Sequence, residues 1–198
     1  MKYISLKGNQ EHQIETMDSV IDVLKINEIT YVLTFSGLEL WDLEKKRRLA
    51  VFNTSELGLP LDDDEHPRAF ARYKNKLIIA HGRLGLTLFD LNSHKIINNF
   101  KVATQQSPLE SVVNGVTVSG SHAIGVVDSY SIVGPNQKPA FQGLVIIDLD
   151  SEKIVSELNG LPPGVDGIVS DEKTVIVSFY GTPLWKFSIE SLFKSKLP

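Results

Sequence analysis

The stretch Gly37-Leu-Glu-Leu-Trp-Asp-Leu43 returns as Gly85-Leu-Thr-Leu-Phe-Asp-Leu91 and again as Gly143-Leu-Val-Ile-Ile-Asp-Leu149. A degraded fourth copy reads Gly181-Thr-Pro-Leu-Trp-Lys-Phe187. The four glycines lie 48, 58 and 38 residues apart. After each of the first three Asp-Leu pairs comes a polar, Lys-bearing turn and then a short apolar run: Leu49–Phe52, Ile96–Phe100, Ile154–Leu158. This is strand, hairpin turn, strand. Before each glycine lies another apolar run: Thr30–Phe35, Leu77–Ala80, Ala123–Val127, Thr174–Phe179. Weaker strands precede those, at Val20–Lys25, Ala69–Tyr73, Gly115–Ser119 and Gly167–Ser170.

The unit is four antiparallel strands, a to d, and its mean spacing suits blades of a β-propeller. Strands b and c are almost continuously apolar, as strands covered on both faces are. The expected fold is all-β: a single β-propeller over residues 1–198, with four blades of four antiparallel strands. The c strands fall near 37–43, 85–91, 143–149 and 181–187. The fourth unit ends without an obvious strand d, and Lys2–Lys7 alternates like a strand with no partner. That N-terminal strand is expected to complete the last blade, which would remove an exposed edge.

At these residues the chain resembles the β-propeller repeat families: WD40-like, YVTN-like and quinoprotein-like. The Trp-Asp pair that names the WD40 repeat stands at Trp41-Asp42, with Phe89-Asp90 and Ile147-Asp148 as softened versions. The Gly-His element of that repeat is missing. Asp42, Asp90 and Asp148 each sit where strand c meets its turn, so they read as acceptors for turn N–H groups, not as metal ligands or catalysts.

Function in such a scaffold sits in loops. The d–a and b–c loops share one face, here called the top. Loop 54–68 carries Asp62, Asp63, Asp64, His66 and Arg68. Loop 128–142 carries Asp128, Tyr130 and Phe141 among prolines and glycine. His81, Arg83, Asp166 and Tyr180 also approach the top mouth. The expected function is a non-catalytic module that recognises a protein or peptide through loops 54–68 and 128–142. Two alternatives stay open: a small-ligand site or enzyme at the mouth, and half of an eight-bladed ring formed by dimerisation or a fragment of a longer propeller. The expected binding residues are Asp62, Asp63, Asp64, His66, Arg68, His81, Arg83, Asp128, Tyr130, Phe141 and Tyr180. No metal site or cofactor is expected: adjacent carboxylates diverge, and no phosphate loop or nucleophile motif is present. The formal charge of −4 argues against nucleic acid. No run approaches a membrane span. The absence of cysteine and of a signal-like N-terminus points to the cytoplasm. Monomer and homodimer remain equally compatible.

Overall fold

A computed structural model describes residues 2–5, 10–53, 66–102, 111–129, 141–181 and 183–194. Blade one is β3 (Val20–Ile26), β4 (Ile29–Thr34), β5 (Gly37–Asp42) and β6 (Arg47–Asn53), preceded by a ribbon of β1 (Lys2–Ser5) and β2 (Gln10–Gln13). Blade two is β7 (Ala69–Tyr73), β8 (Lys76–Ala80), β9 (Leu86–Asp90) and β10 (Lys95–Phe100). Blade three is β11 (Ser111–Ser119), β12 (His122–Ser129), β13 (Gly143–Asp148) and β14 (Lys153–Asn159). Blade four is β15 (Val165–Ser170), β16 (Thr174–Phe179) and β17 (Trp185–Ser188), followed by α1 (Ile189–Lys194). Each blade is an antiparallel meander, so the all-β, four-bladed propeller is what the chain forms. The N-terminal strand behaves differently from the expectation. β1 pairs with β2, Lys2 opposite Gln13, and among the described residues blade four keeps three strands.

The blades stack through their faces. Tyr31, Leu33, Leu38 and Leu40 of blade one pack against Phe70, Leu77, Ile79 and Phe89 of blade two. Ile78, Ala80, Leu86 and Leu88 continue onto Val116, Ala123, Val145 and Ile147 of blade three. Ile124, Val126, Leu144 and Ile146 meet Val175, Val177 and Phe179 of blade four. Both faces of the middle blades are thus buried, which is why their strands lack alternation. The described elements supply three such inter-blade cores, and blade four builds no matching core with blade one.

The repeat's residues have separate physical reasons. A Cβ on Gly37, Gly85 or Gly143 would overlap the carbonyl of Phe52, Phe100 or Leu158, because strand d passes directly over the start of strand c. The turn carboxylates accept as expected: Asp42 from Lys45 N–H at 3.0 Å, Asp90 from Ser93 N–H at 2.6 Å, Asp148 from Ser151 N–H at 2.6 Å. Those hydrogen bonds hold all three carboxyls below the usual Asp range. Strand d of each full blade carries one bulged residue, Leu49, Ile97 and Val155, all exposed. A bulge on each outer edge strand spoils it as a template for pairing.

Blade four breaks the pattern in a legible way. Pairing sets Asp90 opposite Lys76 and Asp148 opposite His122, and Ser188 opposite Thr174. Ser188 therefore occupies the turn-Asp position, and Pro183, five residues earlier, occupies the glycine position. The fourth strand c covers 185–188 and is two residues out of the register suggested by Gly181. A proline there has the Cβ that a passing strand d forbids. Ser188 caps α1 instead of closing a hairpin, its Oγ accepting from Ser191 N–H at 3.4 Å. The helix folds back so that Leu192 is buried in the core between blades three and four, with its carbonyl accepting from Ser156 Oγ at 2.9 Å.

Candidate functional site

The innermost strands β3, β7, β11 and β15 line two neighbouring cavities at the axis. Three of them carry a bulge near the top, where one residue drops out of the a–b ladder: Ile21, Asn114 and Asp166. A bulged residue is re-aimed by the local kink. All three line the cavities at the axis. A mouth of about 240 Å³ is bounded by Ile21, Phe35, His66, Pro67, Arg68, Asn114 and Val165. A second cavity of about 350 Å³ is bounded by Asp22, Arg68, Asn114, Thr117, Asp166 and neighbouring backbone. Every blade contributes to both.

The walls are tied together by polar contacts between blades. Asp22 Oδ2 accepts from Phe70 N–H at 3.2 Å, joining blade one to blade two. Asp128 accepts from Gly164 N–H at 3.0 Å, Val165 N–H at 3.3 Å and Asn114 Nδ2 at 3.4 Å, joining blade three to the approach to blade four. Thr117 and Ser170 share a hydroxyl contact at 2.9 Å lower down. Arg68 lines both cavities, with His66 beside it in the mouth and Asp22 and Asp166 in the second. The His66 ring lies 4.7 Å from that of Phe35, so an apolar shelf flanks the charged groups.

Of the residues picked from sequence, His66 and Arg68 are in the mouth. Tyr180 lines neither cavity; it is 83% exposed, with its N–H donating to the Gly164 carbonyl at 2.7 Å, and Leu184 is 67% exposed. Three others are not on an exposed surface. His81 is fully buried, its Nδ1 3.3 Å from Thr87 Oγ1, and burial, aided by the charge of His66, lowers its pKa to about 3. It is a neutral core group at ordinary pH and offers no ready proton exchange with a ligand. Asp128 is buried because it fastens two backbone amides. Phe141 is buried in the core between blades two and three, and its carbonyl accepts from Ser111 Oγ at 3.2 Å. Arg83 is half-buried beside the tight 81–85 loop. Asp62, Asp63, Asp64 and Tyr130 lie outside the described residues. Sequence reading missed Asp22, Asn114, Ile21 and Phe35. The only signal for the first three was the polar or bulky residue just inside each strand a, which looked like ordinary alternation.

Among the described residues no group of three or more His, Asp or Glu is arranged to hold a metal ion, and no helix is long and apolar enough to cross a membrane. No family model matches the chain, and no curated protein matches it. Solved structures do. The chain is similar to Sqt1 of Saccharomyces cerevisiae, with 10% identity and a TM-score of 0.71 over 96% of this chain and 53% of that one. It is similar to the WD40 repeats of RRP9, with 10% identity and a TM-score of 0.70 over 90% of this chain and 50% of that one. It is also similar to the computationally designed Ika4 protein, with 9% identity and a TM-score of 0.63, here over 89% of this chain and 96% of that one. These likenesses define the class as a β-propeller. The chain resembles WD40 repeat structures in fold and spans about half the length of those it matches.

Proposed function

We propose that the chain is a non-catalytic binding module that recognises a protein or peptide through its top face. The observation that carries this reading is the mouth itself. Four blades each lend residues to a shallow cavity of about 240 Å³ flanked by the Phe35–His66 shelf, a neighbouring cavity that shares Arg68 adds Asp22 and Asp166, and Tyr180 and Leu184 are exposed apolar side chains of blade four. An aromatic anchor beside charged groups on a rigid frame is how binding energy is concentrated. By topology loops 54–68 and 128–142 belong to this face, and we propose them as part of the contact surface. Among the described residues, the burial of His81 sets it apart from His66 as a partner for acid–base work. The likeness to WD40 repeat structures supports the module reading.

The test is a capture from native lysate with the wild-type chain, followed by calorimetry with the purified partner. Tyr180→Asp combined with Arg68→Glu is expected to weaken that binding about thirtyfold or more, as loss of hot-spot contacts does. Leu49→Ser, on the outer edge, is expected to leave it unchanged. Equal affinity for all three chains would place the contact elsewhere and overturn the top-face reading.

A further inference from the structure

Along strand c, alternate side chains face the preceding and the following blade. Leu40, Leu88 and Ile146 face the following blade. Phe89 faces the preceding blade in its core, as do Val145 and Ile147 in theirs, and Thr87 shares the Phe89 face. At each internal junction an aliphatic residue of the first kind therefore meets a small or apolar residue of the second kind.

The two ends of the arc depart from this rule in opposite senses. On blade one the face turned away from blade two carries Val32, Trp41 and, at the position of Thr87 and Val145, Glu39. On blade four the face turned away from blade three carries Thr174, Ile176, Ser178 and a largely exposed Val169. There Lys186, paired opposite Ile176, holds the position of Leu40, Leu88 and Ile146, and it is exposed. The repeat's own register would bring Lys186 onto Glu39 wherever a fourth blade stacks on a first blade.

Glu39 is at present fully buried. Its oxygens accept from Met17 N–H at 2.7 Å, Trp41 Nε1 at 2.9 Å and Arg48 Nη1 at 3.4 Å. Ile14 packs onto Val32 and Trp41 beside it. Phe35 N–H donates to the Ser19 carbonyl at 3.3 Å, and Ser36 Oγ donates to Asp18 at 2.7 Å, so residues 14–19 run as a strap over the outer face of blade one.

We propose that the outer faces of blades one and four are docking faces for a second copy of this chain, and that the strap 14–19 covers one of them until it is displaced. The occupant is a second copy because the charges are complementary within one sequence. The arc also overlies about half the length of the WD40 structures it matches. Two copies related by a twofold axis would make two identical junctions and close a ring of eight blades. This is independent of what the top face binds.

The experiment uses the full chain with Ile14→Asp and Met17→Pro, which removes the apolar plug and the N–H that holds Glu39. Light scattering across a dilution series is expected to show a monomer for the wild-type chain and a dimer for the released chain. Adding Lys186→Glu to the released chain is expected to raise the dissociation constant about thirtyfold or more, since it sets two carboxylates against each other. Circular dichroism checks the fold. Should the double variant unfold, Met17→Pro alone, which leaves Ile14 in place, is measured instead. A folded, released chain that stays monomeric overturns the proposal, as does association indifferent to Lys186→Glu. A wild-type chain that already dimerises as strongly as the released one overturns the role of the strap.

Discussion

Substituting Gly143 by alanine tests whether the repeated glycine exists for steric reasons. Gly143 has no left-handed backbone, so strain in φ does not enter. The added Cβ would overlap the Leu158 carbonyl oxygen, sit 2.8 Å from its carbon and lie 3.1 Å from the Asn159 Cα. The obstacle is backbone and cannot rotate away. Relief requires lifting the end of β14 from β13, which breaks the pairings Gly143–Asn159 and Leu144–Leu158. Leu158 also packs into the core between blades three and four, so its displacement loosens that contact. Stranding two ladder groups costs about 1–3 kcal/mol each, giving about 2–6 kcal/mol in all. For a chain of this size that is a fall in melting temperature of about 5–15 °C. Gly181→Ala is the control. It has nothing within 4 Å and φ +70°, so its cost is conformational alone, about 1–2 kcal/mol. Urea unfolding followed by circular dichroism measures both. If Gly143→Ala costs no more than Gly181→Ala, the close passage of strand d is not what the glycine serves.

Three further outcomes are expected. His81 titrates near 6.5 when unfolded and near 3 when folded, because burial disfavours its charged form. Its contribution is therefore full above the unfolded value and is lost as pH falls towards the folded one. Between pH 7 and 5 the wild-type chain is expected to lose about 2 kcal/mol in urea unfolding, a loss His81→Asn removes; an unchanged slope in the variant refutes the assignment. Asp42, Asp90 and Asp148 are held low by turn N–H groups, so their contribution is present above the ordinary Asp range and disappears as pH drops through the folded values. Asp90→Ala is expected to move the acid-unfolding midpoint upward, and carboxyl-carbon NMR showing Asp90 titrating at or above 3.8 would contradict this. Leu192→Ala empties a buried site under α1 and is expected to cost about 2–4 kcal/mol by urea unfolding, whereas a cost below about 1 kcal/mol would mean the helix is not docked.

The scaffold was largely readable from sequence because its signals are local and repeated. Gly37, Asp42 and the apolar runs around them recur at blade spacing, and each recurrence has the same steric or hydrogen-bonding cause. The site was less readable. Ile21, Asn114 and Asp166 reach the axis only because a bulge turns them there, and a bulge leaves no composition signal. His81, Asp128 and Phe141 lie at the top by topology, yet all three are buried. The N-terminal strand misled for a similar reason: alternation in Lys2–Lys7 shows that a strand forms but not which edge accepts it. β2, close in sequence, wins over a distant β17 whose approach is obstructed by Pro183.

Departures from the repeat carry more specific information than the repeat itself. The internal junctions demand apolar partners, and their buried cores are built of Leu, Ile, Val, Phe, Ala and Tyr. At the outer faces of blades one and four no described blade imposes that demand, and four positions change chemistry together: Glu39 on blade one, and Pro183, Lys186 and Ser188 on blade four. Drift at an unconstrained face would favour any solvated residue. Glu39, however, is not solvated. It is buried, and a buried carboxylate is costly unless every oxygen is matched, as the bonds from Met17, Trp41 and Arg48 match it here. A Val or Thr, as in the neighbouring blades, would fill the same place under Ile14 without that requirement. The strap therefore meets a surface chosen for charge and not for packing alone. The residue in register to answer that charge is Lys186, at the far end of the same arc.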